Sequence, residues 1–254
     1  MSESLYEQAL QIMETTVHDL ARQVPQPQRI PFLDSFVYRY AEKTLHQALV
    51  QKLARYVTSL QAAAVLLNHG FVQEQAALQR VLDEIQQDIT FLAFGVIYDE
   101  VTPLHQAYLD AFYEEEFDSK TGSALAQNRP MIPRQKIRAY IARAQGKAGN
   151  PSREVEVART VSKTYSGYVH AASPQIMDMY GGRPARFHVR GMRGTERQDE
   201  HREDLWNYFY RGILAFAFAA KAFANDKTFE SIRQFADEFT KGNGKDYGVH
   251  SRDT

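Results

Sequence analysis

The sequence predicts an all-α fold, an antiparallel helical bundle of about seven or eight helices with one long irregular loop at 171–198. Three observations predict it. Apolar residues recur at helical spacing along most of the chain and almost nowhere alternate as in a half-buried strand. Glycine and proline cluster between those stretches rather than within them. The segment 171–198 loses the helical period and gathers Pro174, Gly181, Gly182, Pro184, Gly191 and Gly194. Loops of that length belong to functional or disordered parts of a protein.

Taken in order, Leu5, Ala9, Ile12, Thr16 and Leu20 form the first stripe, with Ser4 and Glu7 as a capping pair. Pro25, Pro27 and Pro31 end that helix. A long helix is expected from about Leu33 to Asn68, through Val37, Ala41, Leu45, Leu49, Leu53, Tyr56 and Leu60. His69-Gly70 breaks it. The next helix, from Val72 to Phe94, carries Ala77, Val81, Ile85, Ile89 and Leu92, and Pro103 opens a short one. Residues 118–133 read as a loop, and helical pattern resumes over 134–145 and 152–170. The stretch 202–224 is apolar nearly all round, which predicts a central buried helix, and a last helix spans 228–240. Phe187-His-Val-Arg190 is the one candidate extended piece. The expected organisation is a single helical domain over 1–254. It comprises an N-terminal helix in 1–24, a helical core in 33–170, the 171–198 loop, C-terminal helices in 202–240 and a flexible tail at 241–254.

Composition narrows the function classes. The chain has no cysteine, which excludes disulfides, thiolate catalysis and cysteine-held zinc or iron–sulfur sites. Its longest apolar run, Ile213–Ala220, is far short of the roughly 20 residues that a membrane span needs. The acidic N-terminus does not have the pattern of a signal peptide. A cytoplasmic protein with no membrane association is expected. The net charge of -1 leaves nucleic-acid binding to local patches. No phosphate-loop, nucleophile-elbow or dinucleotide signature occurs, so no cofactor is expected. Asp199, Glu200, His201, Glu203 and Asp204 cluster where a helix start favours acids anyway, so no metal site is expected there.

Two constellations carry candidate chemistry. Arg159, Lys163, Ser166 and His170 follow one another at helical spacing and project within an arc of about 60°. Cations, a hydroxyl and an imidazole are the groups that metal-free cleavage of a phosphodiester needs. A solvated polar face is the plainer account of the same stripe. The second constellation is Gly181–Arg197, with Arg183, Arg186, Arg190, Arg193 and Arg197 against Glu196 alone. Guanidinium forks suit phosphate, and Phe187 or His188 offers a face for a base. The plainer account pairs these arginines with acids such as Glu114, Glu115, Glu116 and Asp118. Arg80 and Glu84 are expected to form a structural ion pair.

Arg80-Val-Leu-Asp-Glu84, after a helix ending near Asn68-His-Gly70, and Tyr165-Ser-Gly-Tyr-Val-His170 are familiar as a pair. They resemble the Arg-x-x-x-Glu and Ser-x-x-x-His helices of a group of uncharacterised prokaryotic helical proteins. That group is similar, at a distance, to the HEPN superfamily. The resemblance implies an antiparallel bundle, often a homodimer, and RNA or nucleotide binding. Many HEPN proteins are metal-independent ribonucleases of toxin and defence systems, and others are inactive binding modules. His170 matches the family's general base, and Lys163 stands where the family has its phosphate-clamping arginine. The competing expectation is a non-enzymatic interaction or regulatory protein that docks a partner through 181–197.

Overall fold

The computed structural model of the protein describes residues 3–126, 130–145, 160 and 163–245. It is a helical bundle with two short antiparallel hairpins. The helices are α1 (Glu3–Ala21), α2 (Leu45–Asn68), α3 (Val72–Ile97), α4 (Pro103–Phe112) and α5 (Arg134–Gln145). They continue with α6 (163–169), α7 (Ser173–Met177), α8 (Glu196–Ala222) and α9 (Asp226–Gly242). The strands are β1 (Gln28–Phe32), β2 (Ser35–Arg39), β3 (Tyr180–Gly181) and β4 (Arg186–Phe187). Among the described residues no helix is long and apolar enough to cross a membrane.

The centre is α3 against α8, as the all-round apolarity of 202–224 predicts. Helix α3 also packs on α2 and α5, while α8 also packs on α1, α2 and α9. Ile89, Phe91, Leu92, Ala93 and Phe94 of α3 and Ile213, Ala215, Phe216, Ala219 and Ala220 of α8 are buried. Gly212 is where α2 closes on α8: a Cβ there would sit 2.5 Å from the Tyr56 ring. The Tyr56 hydroxyl donates to the Tyr208 carbonyl at 2.7 Å, so this large buried side chain leaves no polar atom stranded. Ile232, Phe235, Ala236 and Phe239 line one face of α9 and cover the end of the core.

Two boundaries differ from the sequence expectation. Residues 33–44 are not helical. Strands β1 and β2 form a hairpin with Phe32 opposite Ser35, turning at Leu33, whose φ is +51°. Aromatic and β-branched residues (Ile30, Phe32, Phe36, Val37, Tyr38) fit a pleated strand better than a helix. The helix begins only after Thr44, whose hydroxyl accepts from the Gln47 backbone while the Gln47 side chain accepts from the Thr44 backbone. The second difference lies in 171–198, which contains α7 and the β3–β4 hairpin. There α8 starts at Glu196, six residues before the expected 202, because Thr195 caps it through the Gln198 backbone. The expected extended piece at 187–190 is strand only at Arg186–Phe187. The expected helical turns at 152–159 and the tail beyond 245 lie outside the described residues.

Two buried histidines give the fold a pH dependence. His105 stacks on Phe91 at 3.9 Å, accepts at Nδ1 from the Thr102 backbone and donates from Nε2 to the Phe91 carbonyl. Both ring nitrogens are used by the neutral tautomer. His201 lies beside Gln75, its Nδ1 3.0 Å from Oε1. Burial holds both imidazoles below the usual 6.5. The unfolded chain therefore takes up protons that the folded chain refuses. The stability this contributes is complete above about pH 6.5 and falls as pH drops towards the folded values. Unfolding free energy measured by urea at pH 7.5 and 5.5 is expected to fall by up to about 1.4 kcal/mol per pH unit for each histidine. A His201→Gln variant should show a shallower fall, and an equal slope in wild type and variant would refute the assignment to His201.

Candidate functional site

Helix α6 is held by its tyrosines. Tyr165 is buried and donates to Asp204 of α8 at 2.8 Å, and Tyr168 donates to Asp178 at 2.8 Å. Burial, reinforced by neighbouring carboxylates, pushes both hydroxyls well above the ordinary tyrosine range. They are hydrogen-bond donors here, not bases. Lys163 and His170 are exposed and Ser166 is half-buried. The His170 backbone N–H still bonds the Ser166 carbonyl at 3.2 Å. The chain then leaves the helix at Ala171, whose φ is +49°. Arg159 lies outside the described residues.

The segment after α6 is fastened at several points. Gly167 touches the Gln175 side chain so closely that a Cβ would meet it at 2.3 Å, and the Gln175 carbonyl accepts from Gln73 of α3 at 2.7 Å. Arg197 bonds Asp178 at 2.9 Å and Glu200 at 2.6 Å. At the far end Met192 is buried, and its N–H bonds the Gly70 carbonyl at 2.7 Å. Gly70 has φ +81° and a Cβ there would lie 2.4 Å from the Arg193 nitrogen. The α2–α3 corner thus needs glycine twice, for its backbone angle and for the approach of 191–193.

Between these anchors the β3–β4 hairpin stands out into solvent. Tyr180 and Phe187 meet edge to face at 5.0 Å, and each remains nearly half exposed. Arg183, Arg186, Arg190 and Arg193 are exposed and make no ion pair with a carboxylate among the described residues. Two of the acids expected to neutralise this loop are engaged elsewhere. Glu115 pairs with Arg39 of β2, and Asp118 accepts from the Lys120 and Thr121 backbones. Among the described residues, Arg197 alone of the five loop arginines pairs internally.

A second polar concentration went unread in the sequence. Gln75, Gln79, Asp83 and Gln87 follow every fourth residue along α3, and all four are buried. Asp83 accepts from Arg211 of α8 at 2.8 Å and from Gln87 at 2.7 Å. Asp88 accepts from Lys52 of α2 at 2.8 Å and pairs with Arg134 of α5. Arg80 and Glu84 pair at 2.6 Å on the outer side of this seam. This stripe and the expected apolar one are offset by two residues, which is about 200° round a helix. The expected apolar stripe is half-buried at Ala77 and Val81 and fully buried only from Ile85 on, while Gln75 and Gln79, on nearly the opposite side of the first turns, face the core.

A concavity of about 580 Å³ between α2 and α4, lined by Glu42, Lys43, Gln106, Asp110 and Glu114, contains none of the site residues predicted from sequence. Comparison of the chain with family models, with curated proteins and with solved structures returns no match.

Proposed function

We propose that the protein is a HEPN-like helical protein that binds single-stranded RNA or a nucleotide through the 180–193 surface. The observation that carries this is the set of exposed arginines without internal counter-ions, interleaved with Tyr180 and Phe187. Guanidinium groups track a phosphate backbone while aromatic faces stack bases, and an unpaired cation cluster gives up no internal bond on binding. His170, exposed at the end of α6, is the proposed general base for RNA cleavage without a metal. It takes the proton of a ribose 2′-hydroxyl, which attacks the adjacent phosphorus. The 5′-oxygen leaves and takes a proton from water, and Lys163 and Arg159 balance the phosphate charge.

Binding of fluorescein-labelled single-stranded RNA across a salt series tests the first claim, with weakening as salt rises expected. No binding at low salt would remove it. Cleavage in the presence of a chelator tests the second. His170→Ala is expected to slow it by about a hundredfold or more, and a variant as fast as wild type would leave binding without catalysis. A partner protein is the second reading of the same surface, favoured by exposed Val169, Met177 and Val189. It predicts a pull-down that requires 181–197 and persists after nuclease treatment.

A further inference from the structure

The β1–β2 hairpin is tied to the segment after α4 by a backbone bond and an ion pair. The Leu33 N–H donates to the Ser119 carbonyl at 2.7 Å, and Arg39 Nη2 donates to Glu115 Oε2 at 3.0 Å. Two strands alone are marginal in water, so these ties brace the hairpin. Between its base, α2 and the end of α4 lies a concavity of about 510 Å³, the size of a small-molecule site. Its walls are aromatic, with Tyr38 and Tyr40 on the hairpin side and Phe112 and Tyr113 on the α4 side. Phe112 and Tyr113 meet edge to face at 4.9 Å. The Tyr113 hydroxyl donates to the Thr44 carbonyl at 3.1 Å and accepts from Gln51 at 3.3 Å, which fixes that wall.

The charges narrow the guest. Arg39 and Glu115 neutralise each other. Lys43 and Glu114 line the same concavity, and neither has an ion-pair partner among the described residues. Both also line the adjoining concavity of about 580 Å³, so they stand where the two spaces meet. Lys43 is set there by a left-handed backbone, φ +55°, immediately before the Thr44 cap, a conformation that lysine seldom adopts. A purely cationic guest would meet Lys43, and Lys52 already lies 4.8 Å over the Phe112 ring. A polyanion would meet Glu114 and Glu115, with Glu42 and Asp110 in the adjoining space. A guest with one charge of each sign satisfies both free groups and breaks no internal bond. A flat ring on that guest stacks against the tyrosines.

We propose that this cavity binds a free aromatic α-amino acid, its carboxylate on Lys43, its ammonium on Glu114 and its ring against Tyr38 and Tyr40. The site shares no residue with the 180–193 surface, and it does not depend on RNA binding there.

The test is calorimetric titration of the full chain with L-tryptophan, and in parallel with tryptamine, which lacks the carboxylate, and indolepropionate, which lacks the ammonium. Wild type is expected to bind one equivalent of L-tryptophan saturably and each analogue at least about tenfold more weakly. Lys43→Gln should weaken L-tryptophan at least about tenfold and leave tryptamine unchanged. Glu114→Gln should weaken L-tryptophan to a similar degree and leave indolepropionate unchanged. Tyr38→Ala should weaken all three through lost stacking. Lys43, Glu114 and Tyr38 are exposed, so each variant's circular dichroism should match wild type. Charge reversal on the other hairpin (Arg183→Glu with Arg190→Glu) should leave L-tryptophan binding unchanged. No saturable binding of L-tryptophan by wild type up to about 10 mM, an analogue bound as tightly as L-tryptophan, or binding that survives both Lys43→Gln and Glu114→Gln would overturn the proposal.

Discussion

Replacing Arg183, Arg186, Arg190 and Arg193 together with glutamate is expected to weaken single-stranded RNA binding by at least about a hundredfold at low salt. The size follows from counterion release. Each phosphate neutralised on a single strand contributes about -0.7 to the slope of log affinity against log salt. If all four arginines engage, the wild-type slope is about -3, and raising salt from 50 to 200 mM costs about fiftyfold in affinity. Reversal removes those contacts and sets four carboxylates against the backbone, so the variant's slope should fall towards zero. These side chains make no internal hydrogen bond or ion pair in the described structure, so circular dichroism and melting temperature should match wild type. That separates loss of binding from loss of fold. Phe187→Ala should act differently, weakening binding through lost stacking while leaving the slope intact. A wild-type slope near zero, or a reversal variant that binds like wild type, would remove the hairpin from the account.

The sequence disclosed the helices whose apolar faces repeat without interruption, and the structure differs where a cap competes with a stripe. Val37 and Ala41 continue the spacing of Leu45 and Leu49, so the stripe runs straight through the true boundary. The Thr44-Leu-His-Gln47 capping box marks that boundary, and it lies inside the stripe where periodicity hides it. Thr195 and Gln198 mark the start of α8 in the same way. At the site, the cationic composition of 181–197 was legible, because arginine clusters with few nearby acids need no three-dimensional information to recognise. Which arginine would be internally paired was not. Arg197 meets Asp178 only because the chain folds back through α7 and the β3–β4 hairpin. The buried glutamine stripe was least legible of all. Glutamine is a good helix former and ordinarily sits on a wet face, so its burial depends on which way α3 is rotated against α8.

That rotation makes Asp83 the residue whose loss the fold should feel most. Its side chain is 2% exposed and serves two helices at once, accepting from Arg211 of α8 and from Gln87 on its own helix. Burial works against the charge of Arg211, and Asp83 beside it more than restores it. Asp83→Ala leaves that cation in the α3–α8 interface with only the neutral Gln86 side chain to accept from it. The change is expected to cost about 3 kcal/mol, the low end for a broken buried pair, because the Arg211 side chain is partly exposed. Domains of this kind have about 5–15 kcal/mol to lose, so the variant gives up a large share of its stability. Urea unfolding should show a lower midpoint with an unchanged slope. The double variant Asp83→Leu with Arg211→Met tests the cause, because replacing both charges by apolar groups of similar size removes the stranded cation and should recover much of the loss. Glu230→Ala supplies the contrast: its pair with Arg233 lies on the exposed side of α9, where solvent screens the attraction, and its midpoint should match wild type. If Asp83→Ala unfolds at the same urea concentration as Glu230→Ala, the ion pair is not what holds α3 to α8.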